Sequence, residues 1–213
     1  MRFLLDTKGS NIAQRLAEFP DFVLGQLRTP LTCYADWGGV FAIDNGAYSG
    51  LDIDGYLRLL NKAKPYKDRC LFVAVPDIVG NARRTLELFR QFPTKHYAAL
   101  DCWRSYFALV AQDGVEDFDI DWSTLPCIFI GGTNKFKDSE IAYDLVRTAK
   151  SMGVHVHVGR VNTVPRFEMY NQLGADTCDG SGVSMYTHML EDIVAGVSRT
   201  TEAGLFDEIG GNE

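Results

Sequence analysis

Short apolar runs recur along this chain, and each stops at a polar or glycine-bearing turn. Arg2-Phe3-Leu4-Leu5 ends at Asp6, Val40–Ile43 at Asp44-Asn45-Gly46, and Leu71–Val75 at Pro76-Asp77. Phe107–Ala111 ends at Gln112-Asp113-Gly114, Cys127–Ile130 at Gly131-Gly132, Val154–Val158 at Gly159-Arg160, and Ala175–Cys178 at Asp179-Gly180. A strand with one wet face would alternate apolar and polar residues. Unbroken runs rich in β-branched residues suit parallel strands covered on both faces. Helical spacing fills the gaps, in Ile53–Ala63 (Leu57, Leu59, Leu60), Asn81–Phe92 (Leu86, Leu88, Phe89) and Ser139–Met152 (Ile141, Leu145, Val146). Asp138-Ser139 caps the third of these, and a shorter helix over Val164–Leu173 stops at Gly174.

Strands that alternate with helices imply a parallel sheet with right-handed crossovers. Seven or eight such units predict an α/β fold, a compact (β/α)8 TIM-type barrel. Residues 1–201 form one catalytic domain, and residues 202–213 a flexible acidic tail. The chain has 213 residues, whereas such barrels typically need ~250. Some outer helices must therefore be trimmed or missing. An open doubly wound sheet is the competing arrangement.

Hydrophobic residues make up 46% of the chain, enough for a sizeable core. No apolar run reaches the length of a membrane span and no basic-then-apolar leader opens the chain, so a cytoplasmic protein with no membrane contact is expected. The five cysteines form no C-x-x-C pair and their count is odd, which argues against a zinc site or a disulfide framework. The net charge of −7 gives no overall basic footprint for a polyanion. Contact with nucleic acid would rest on local cations, and Lys8, Lys135, Lys137 and Arg166 stand in loops on one expected face, where solvated charges need no further explanation.

Asp6, Asp44, Asp77, Gln112, Gly131-Gly132, Arg160 and Asp179 all follow strands. In a parallel barrel those positions converge on one face, where active sites form. A single Asp there commonly caps the next helix. Four carboxylates and a glutamine at equivalent places read instead as a site. Paired carboxylates permit a division of labour, one as nucleophile or charge stabiliser and the other, with a raised pKa, as acid or base. Chemistry at an anomeric carbon uses this pairing, because a carboxylate stabilises the cationic centre. Gly131-Gly132 lets the backbone approach a flat ligand and offers N–H donors.

Asn45 and Tyr48 flank Asp44, and Tyr48 is a candidate to stack on a base. Trp37, Trp103 and Tyr106 suit core packing better. Arg160 is a candidate for phosphate contact, and Gly180-Ser181-Gly182 for a small anion nest. His155 and His157 face the same way on a strand and read as barrel-lining residues more readily than as metal ligands. Neither a Gly-x-Gly-x-x-Gly turn after the first strand nor a Walker loop is present, so neither dinucleotide nor NTP is expected as cofactor.

Five motifs carry a family resemblance. Gly174-Ala175-Asp176-Thr177-Cys178-Asp179 resembles the segment that bears the nucleophilic aspartate of tRNA-guanine transglycosylases, which implies Asp179 as nucleophile. Phe41-Ala42-Ile43-Asp44-Asn45-Gly46-Ala47 resembles the family's Asp-Ser-Gly-Gly stretch, which implies Asp44 beside the scissile bond. Val75-Pro76-Asp77 resembles the element whose aspartate binds the base edge. Val110-Ala111-Gln112-Asp113-Gly114 is similar to the Val-Gln-Gly-Gly motif, which implies base contact through Gln112. Ile128-Phe129-Ile130-Gly131-Gly132 is similar to the start of the Gly-Gly-Leu-Ala-Val-Gly motif, which implies base contact through the Gly131 and Gly132 amides.

The tRNA enzymes of that family carry a zinc subdomain of clustered cysteines, which has no counterpart here. After Gly132 the chain runs Thr133-Asn134-Lys135-Phe136-Lys137, so the second half of the glycine motif is lost. The chain is more similar to short phage and bacterial proteins that place deazapurines in DNA. The resemblance implies cleavage of an N-glycosidic bond, in DNA rather than tRNA, by base exchange or by excision as a DNA glycosylase, with no metal or cofactor. Its implied partners are the nucleic acid and a free deazaguanine base. A small-molecule hydrolase on the same barrel is the alternative.

Overall fold

The computed structural model describes residues 1–95 and 100–196. The acidic tail expected at 202–213 lies outside the described residues, as does the C-terminal limit of the domain at 201. Eight parallel strands close into a barrel in the order β1 to β8. They are β1 (Arg2–Leu5), β2 (Leu24–Arg28), β3 (Phe41–Ile43), β4 (Cys70–Ala74), β5 (Phe107–Ala111), β6 (Cys127–Ile130), β7 (His155–Val158) and β8 (Thr177–Asp179). The expected (β/α)8 architecture is therefore the observed one, and the open sheet is excluded by the β1–β8 pairing of Phe3 with Cys178 and Leu4 with Asp179.

Residues alternate between the barrel interior and the outer layer. Leu4, Leu27, Ala42, Phe72, Ala74, Ala108, Val110, Cys127 and Phe129 pack together inside. Their neighbours on the same strands, such as Phe3, Leu109, Ile128, Val156 and Cys178, pack outward beneath helices. Both faces are dry, which is why the strands read as continuous apolar runs.

The helices are α1 (Gly9–Glu18), α2 (Ile53–Ala63), α3 (Ala82–Lys95), α4 (Asn134–Lys137), α5 (Glu140–Ser151), α6 (Val164–Gln172), α7 (Ser181–Met185) and α8, which covers residues 187–196. Asp52 caps α2 through the Gly55 N–H and Ser139 caps α5 through the Ala142 N–H. Gly174 ends α6 with φ +84°, a backbone that glycine adopts without strain.

Two crossovers carry no α-helix. Residues 29–40 link β2 to β3 as a loop, and residues 112–126 link β5 to β6 with one 3-10 turn at Val115–Asp117. This is where a short chain saves length. It also explains why β2 is absent from the apolar runs of the sequence. The outward Gln26 and Arg28 face a loop rather than an apolar helix: Gln26 Nε2 donates to the Thr7 and Ala35 carbonyls, and the Arg28 guanidinium lies 5.2 Å from the Phe41 ring centre. Buried polar residues thus replace the expected apolar ones.

The seam between the chain's two ends is held from α1. The buried Arg15 donates to the Val183 carbonyl (2.7 Å) and the Ser184 carbonyl (3.1 Å), and the Asp6 N–H donates to Ser184 Oγ (3.0 Å). No helix among the described residues is long and apolar enough to cross a membrane.

Candidate active site

The inward register of the strands runs to their C-terminal ends and, on most of them, one step beyond. Ala42 is followed two residues later by Asp44, Val110 by Gln112, Phe129 by Gly131, His157 by Gly159, and Thr177 by Asp179. These residues floor a cavity of ≈ 470 Å³, counting its open mouth, that Asp44, Asn45, Tyr48, Asp77, Gln112, Gly131, Gly132, Arg160 and Asp179 line. All nine site residues expected from the sequence therefore meet in one place. A second, wider cavity of ≈ 1030 Å³ on the same basis adjoins it, lined by Asp6, Thr29, Thr32, Ser181 and Ser184 among others. Asp44, Tyr48, Arg160 and Asp179 line both and form the divide between them.

One wall of the narrower cavity is a hydrogen-bonded clamp. Asp77 accepts from Asn45 Nδ2 (2.8 Å) on Oδ1 and from Gln112 Nε2 (2.6 Å) on Oδ2. Asn45 Nδ2 also donates to the Val75 carbonyl, and Gln112 Oε1 accepts from the Gly80 N–H. Burial raises the Asp77 pKa against the opposing pull of the two amides. The clamp holds a carboxylate with unused lone pairs toward the cavity, suited to a ligand edge that presents N–H donors.

The glycines bear close approach. A Cβ on Gly131 would stand 2.8 Å from Val110 Cγ1, and one on Gly132, whose φ is +67°, would stand 2.6 Å from the Phe136 ring. The expectation that both amides are free for a ligand needs correcting. The Gly131 N–H continues the strand ladder to the Ala111 carbonyl (3.0 Å), because β6 hydrogen-bonds to β5 one residue past its end. Gly132 is the member of the pair whose amide stands outside that ladder.

Asp179 and Asp44 differ in their surroundings. Asp179 Oδ2 lies 3.0 Å from His157 Nε2, and Oδ1 accepts from the Arg160 backbone N–H (3.2 Å). Arg160 has φ +56°, which a non-glycine residue rarely adopts, and this turn aims its N–H at the carboxylate. Asp44 accepts from the Asn45 N–H (2.8 Å). Burial, followed by the nearby Asp179 and Asp77, pushes the Asp44 pKa up to about 7. Burial also raises Asp6, whose Oδ1 accepts from Thr32 Oγ1 at 2.6 Å.

Arg160 arches over the site. Its guanidinium donates to the Gly132 carbonyl and lies 4.3 Å from the centre of the Tyr48 ring. One of its guanidinium N–H groups is thus committed inside the protein. Tyr48 is 69% exposed and keeps an open ring face at the mouth, whereas Trp103 is fully buried and Trp37 donates Nε1–H to the Val40 carbonyl. In the candidate anion nest at Gly180–Gly182, the Gly182 N–H is taken within the protein, donating to Asn162 Oδ1 (3.1 Å).

Two further basic residues are not the solvated charges they resemble in the sequence. Lys137 is fully buried and donates from Nζ to the Gly159 carbonyl (2.9 Å), and burial lowers its pKa to about 7. Arg166 pairs with Asp138 at 2.7 Å. A helix of four residues carries no readable repeat, so the sequence does not flag Lys137 as buried. His155 and His157 line the barrel as expected, and among the described residues no group of three or more His, Cys, Asp or Glu side chains is placed to hold a metal. No family model and no curated protein matches the chain.

Proposed function

We propose that the protein cleaves an N-glycosidic bond in nucleic acid, with DNA as the polymer, by base exchange or by hydrolysis. One observation carries this reading: Asp44 and Asp179 stand on the divide between a narrow cavity and a wider groove. A base in the narrow cavity and its sugar in the groove would place the scissile bond beside both carboxylates.

Asp179, charged, attacks the anomeric carbon or stabilises its cationic character as the carbon–nitrogen bond breaks. The bonding electrons pass to the base nitrogen, which takes a proton from Asp44, the carboxyl raised into the neutral range. An incoming base or a water then attacks the same carbon, returns its proton to Asp44 and frees Asp179. Asp77, held by Asn45 and Gln112, accepts from the base edge, and the Gly132 N–H donates to it. A nucleotide inside a duplex must leave the stack to enter such a cavity, and the exposed Tyr48 ring offers it a stacking surface.

A second reading has an observation of its own. Among the described residues that line either cavity Arg160 is the only cation, beside Asp6, Asp44, Asp77 and Asp179. That charge balance suits a small neutral substrate better than a polyanion, and so favours a small-molecule hydrolase.

The test supplies isotopically labelled deazaguanine together with an oligonucleotide, and separately with free nucleosides. Label that enters the polymer supports exchange, and abasic sites without label support excision. Cleavage of free nucleosides with the oligonucleotide untouched would replace the nucleic-acid reading with the small-molecule one.

A further inference from the structure

His157 and Asp179 stand on the inward faces of adjacent strands. The register pairs His157 of β7 with Thr177 of β8, so Asp179 sits one inward step above the imidazole. The ring is fully buried and is wedged between Phe72 and Phe129, with centroids 4.6 and 4.4 Å away. Its Nδ1 lies 2.9 Å from Thr177 Oγ1, and the same hydroxyl lies 3.0 Å from His155 Nε2. Gly159 lets this stack close, because a Cβ there would stand 2.5 Å from the Phe129 ring and 3.5 Å from Asp179 Oδ2.

A carboxylate only accepts, so Nε2 of His157 must carry a hydrogen whenever Asp179 is charged. Asp179 then receives two N–H donors, from His157 and from the Arg160 backbone, whereas Asp44 receives one from Asn45. Two nearby carboxylates do not ionise equally, and the better-donated one keeps its charge. We propose that His157 is the positioning residue of the pair: its Nε2–H holds Asp179 as the charged member and leaves the proton to Asp44. The assignment deepens the reading above by naming what separates the two roles. It rests on that reading for its meaning but not for its test.

Other charges act on the pair. Asp179 is also in the field of Lys137 from α4, Asp6 beyond β1 and Asp44 beyond β3, with Arg160 beside it. Asp44 faces Asp179, Asp77 and Asp6, and the buried Tyr56 lies behind it. Of all these groups, only His157 is both fully buried and hydrogen-bonded through its side chain to Asp179.

The experiment is a carboxyl NMR titration of the full chain labelled with carbon-13 aspartate, with Asp44→Asn and Asp179→Asn spectra to assign the two signals. In the wild type Asp179 should titrate below Asp44. His157→Phe keeps a ring between the two phenylalanines but removes the donor, and should raise the Asp179 midpoint by about one pH unit or more. His157→Gln, which restores an N–H near the lost position, should bring it part of the way back. An Asp179 midpoint unmoved in a folded His157→Phe protein, or a wild type in which Asp44 loses its proton first, overturns the proposal. Should His157→Phe not fold, nitrogen-15 histidine spectra of the wild type decide. A protonated Nε2 throughout pH 5–8 supports the assignment, and a bare Nε2 ends it. None of these measurements uses a substrate, so they stand or fall apart from the glycosidic reading. On a cleaved substrate, His157→Phe should lower kcat at least about tenfold with KM within about twofold.

Discussion

Asp44 and Asp179 carry the same side chain, and their chemistry diverges through their neighbours. The folded Asp44 holds its proton up to about pH 7, against an ordinary carboxyl value of 3.8. The folded state therefore binds this proton more tightly than the unfolded chain. The cost of ionising Asp44 is absent below about pH 4 and grows as pH rises toward 7. Asp44→Asn should thus stabilise the protein by about 2 kcal/mol at pH 8, less than the full shift implies because the carboxyl opens onto the cavity, and should change little at pH 4. Urea unfolding at the two pH values checks this, and an equal effect at both would count against the buried acid. At this scale much was legible: position at or soon after a strand end was enough to bring all nine expected residues to one cavity. How their hydrogen bonds are spent was not legible. Gln112 serves Asp77 and Gly80, the Gly131 amide serves Ala111, and His157 reaches Asp179 across 22 residues of sequence.

At the scale of elements, seven of the eight strands begin and end within two residues of the apolar runs, and β1, β5 and β6 coincide with them. β2 was hidden because its outer face packs on the 29–40 loop, so Gln26 and Arg28 stand where apolar residues would mark a helix-covered strand. The loop after β6 shapes the narrow cavity by a different device. Gly132 combines φ +67° with Phe136 on one side and Asp113 Oδ2 on the other, and Asp113 in turn holds Thr133 N–H and Oγ1 at 2.8 and 2.6 Å. Gly132→Ala should cost about 2 kcal/mol or more, since both the backbone and the space are wrong for a methyl. Thermal unfolding tests this, and an unchanged Tm would mean that the loop can move aside. The same substitution should weaken substrate binding by displacing the Gly132 amide and the carbonyl that anchors Arg160.

Across the whole molecule, a chain of 213 residues closes an eight-stranded barrel by omitting two helices and pairing β1 directly with β8. Arg15 is the chief polar tie at that seam. Arg15→Met would leave the Val183 and Ser184 carbonyls without their donors and should cost about 2–3 kcal/mol. A wild-type urea midpoint in this variant would show that α7 is held without the Arg15 hydrogen bonds. The closed barrel was legible from the count of apolar runs, because seven or eight strand–helix units leave few other parallel arrangements. Function at this scale was less legible, because four carboxylates line the two cavities of a chain of net charge −7, and the proposed nucleic-acid partner would have to bind against that field. The most direct measurement is therefore mass spectrometry of free bases released from plain DNA, modified phage DNA and bulk tRNA, by the wild type and by Asp179→Ala. The account predicts release from at least one of the three by the wild type, and a loss of roughly a thousandfold or more in the variant. Release by Asp179→Ala at the wild-type rate, or no release from any of the three by the wild type, would contradict it.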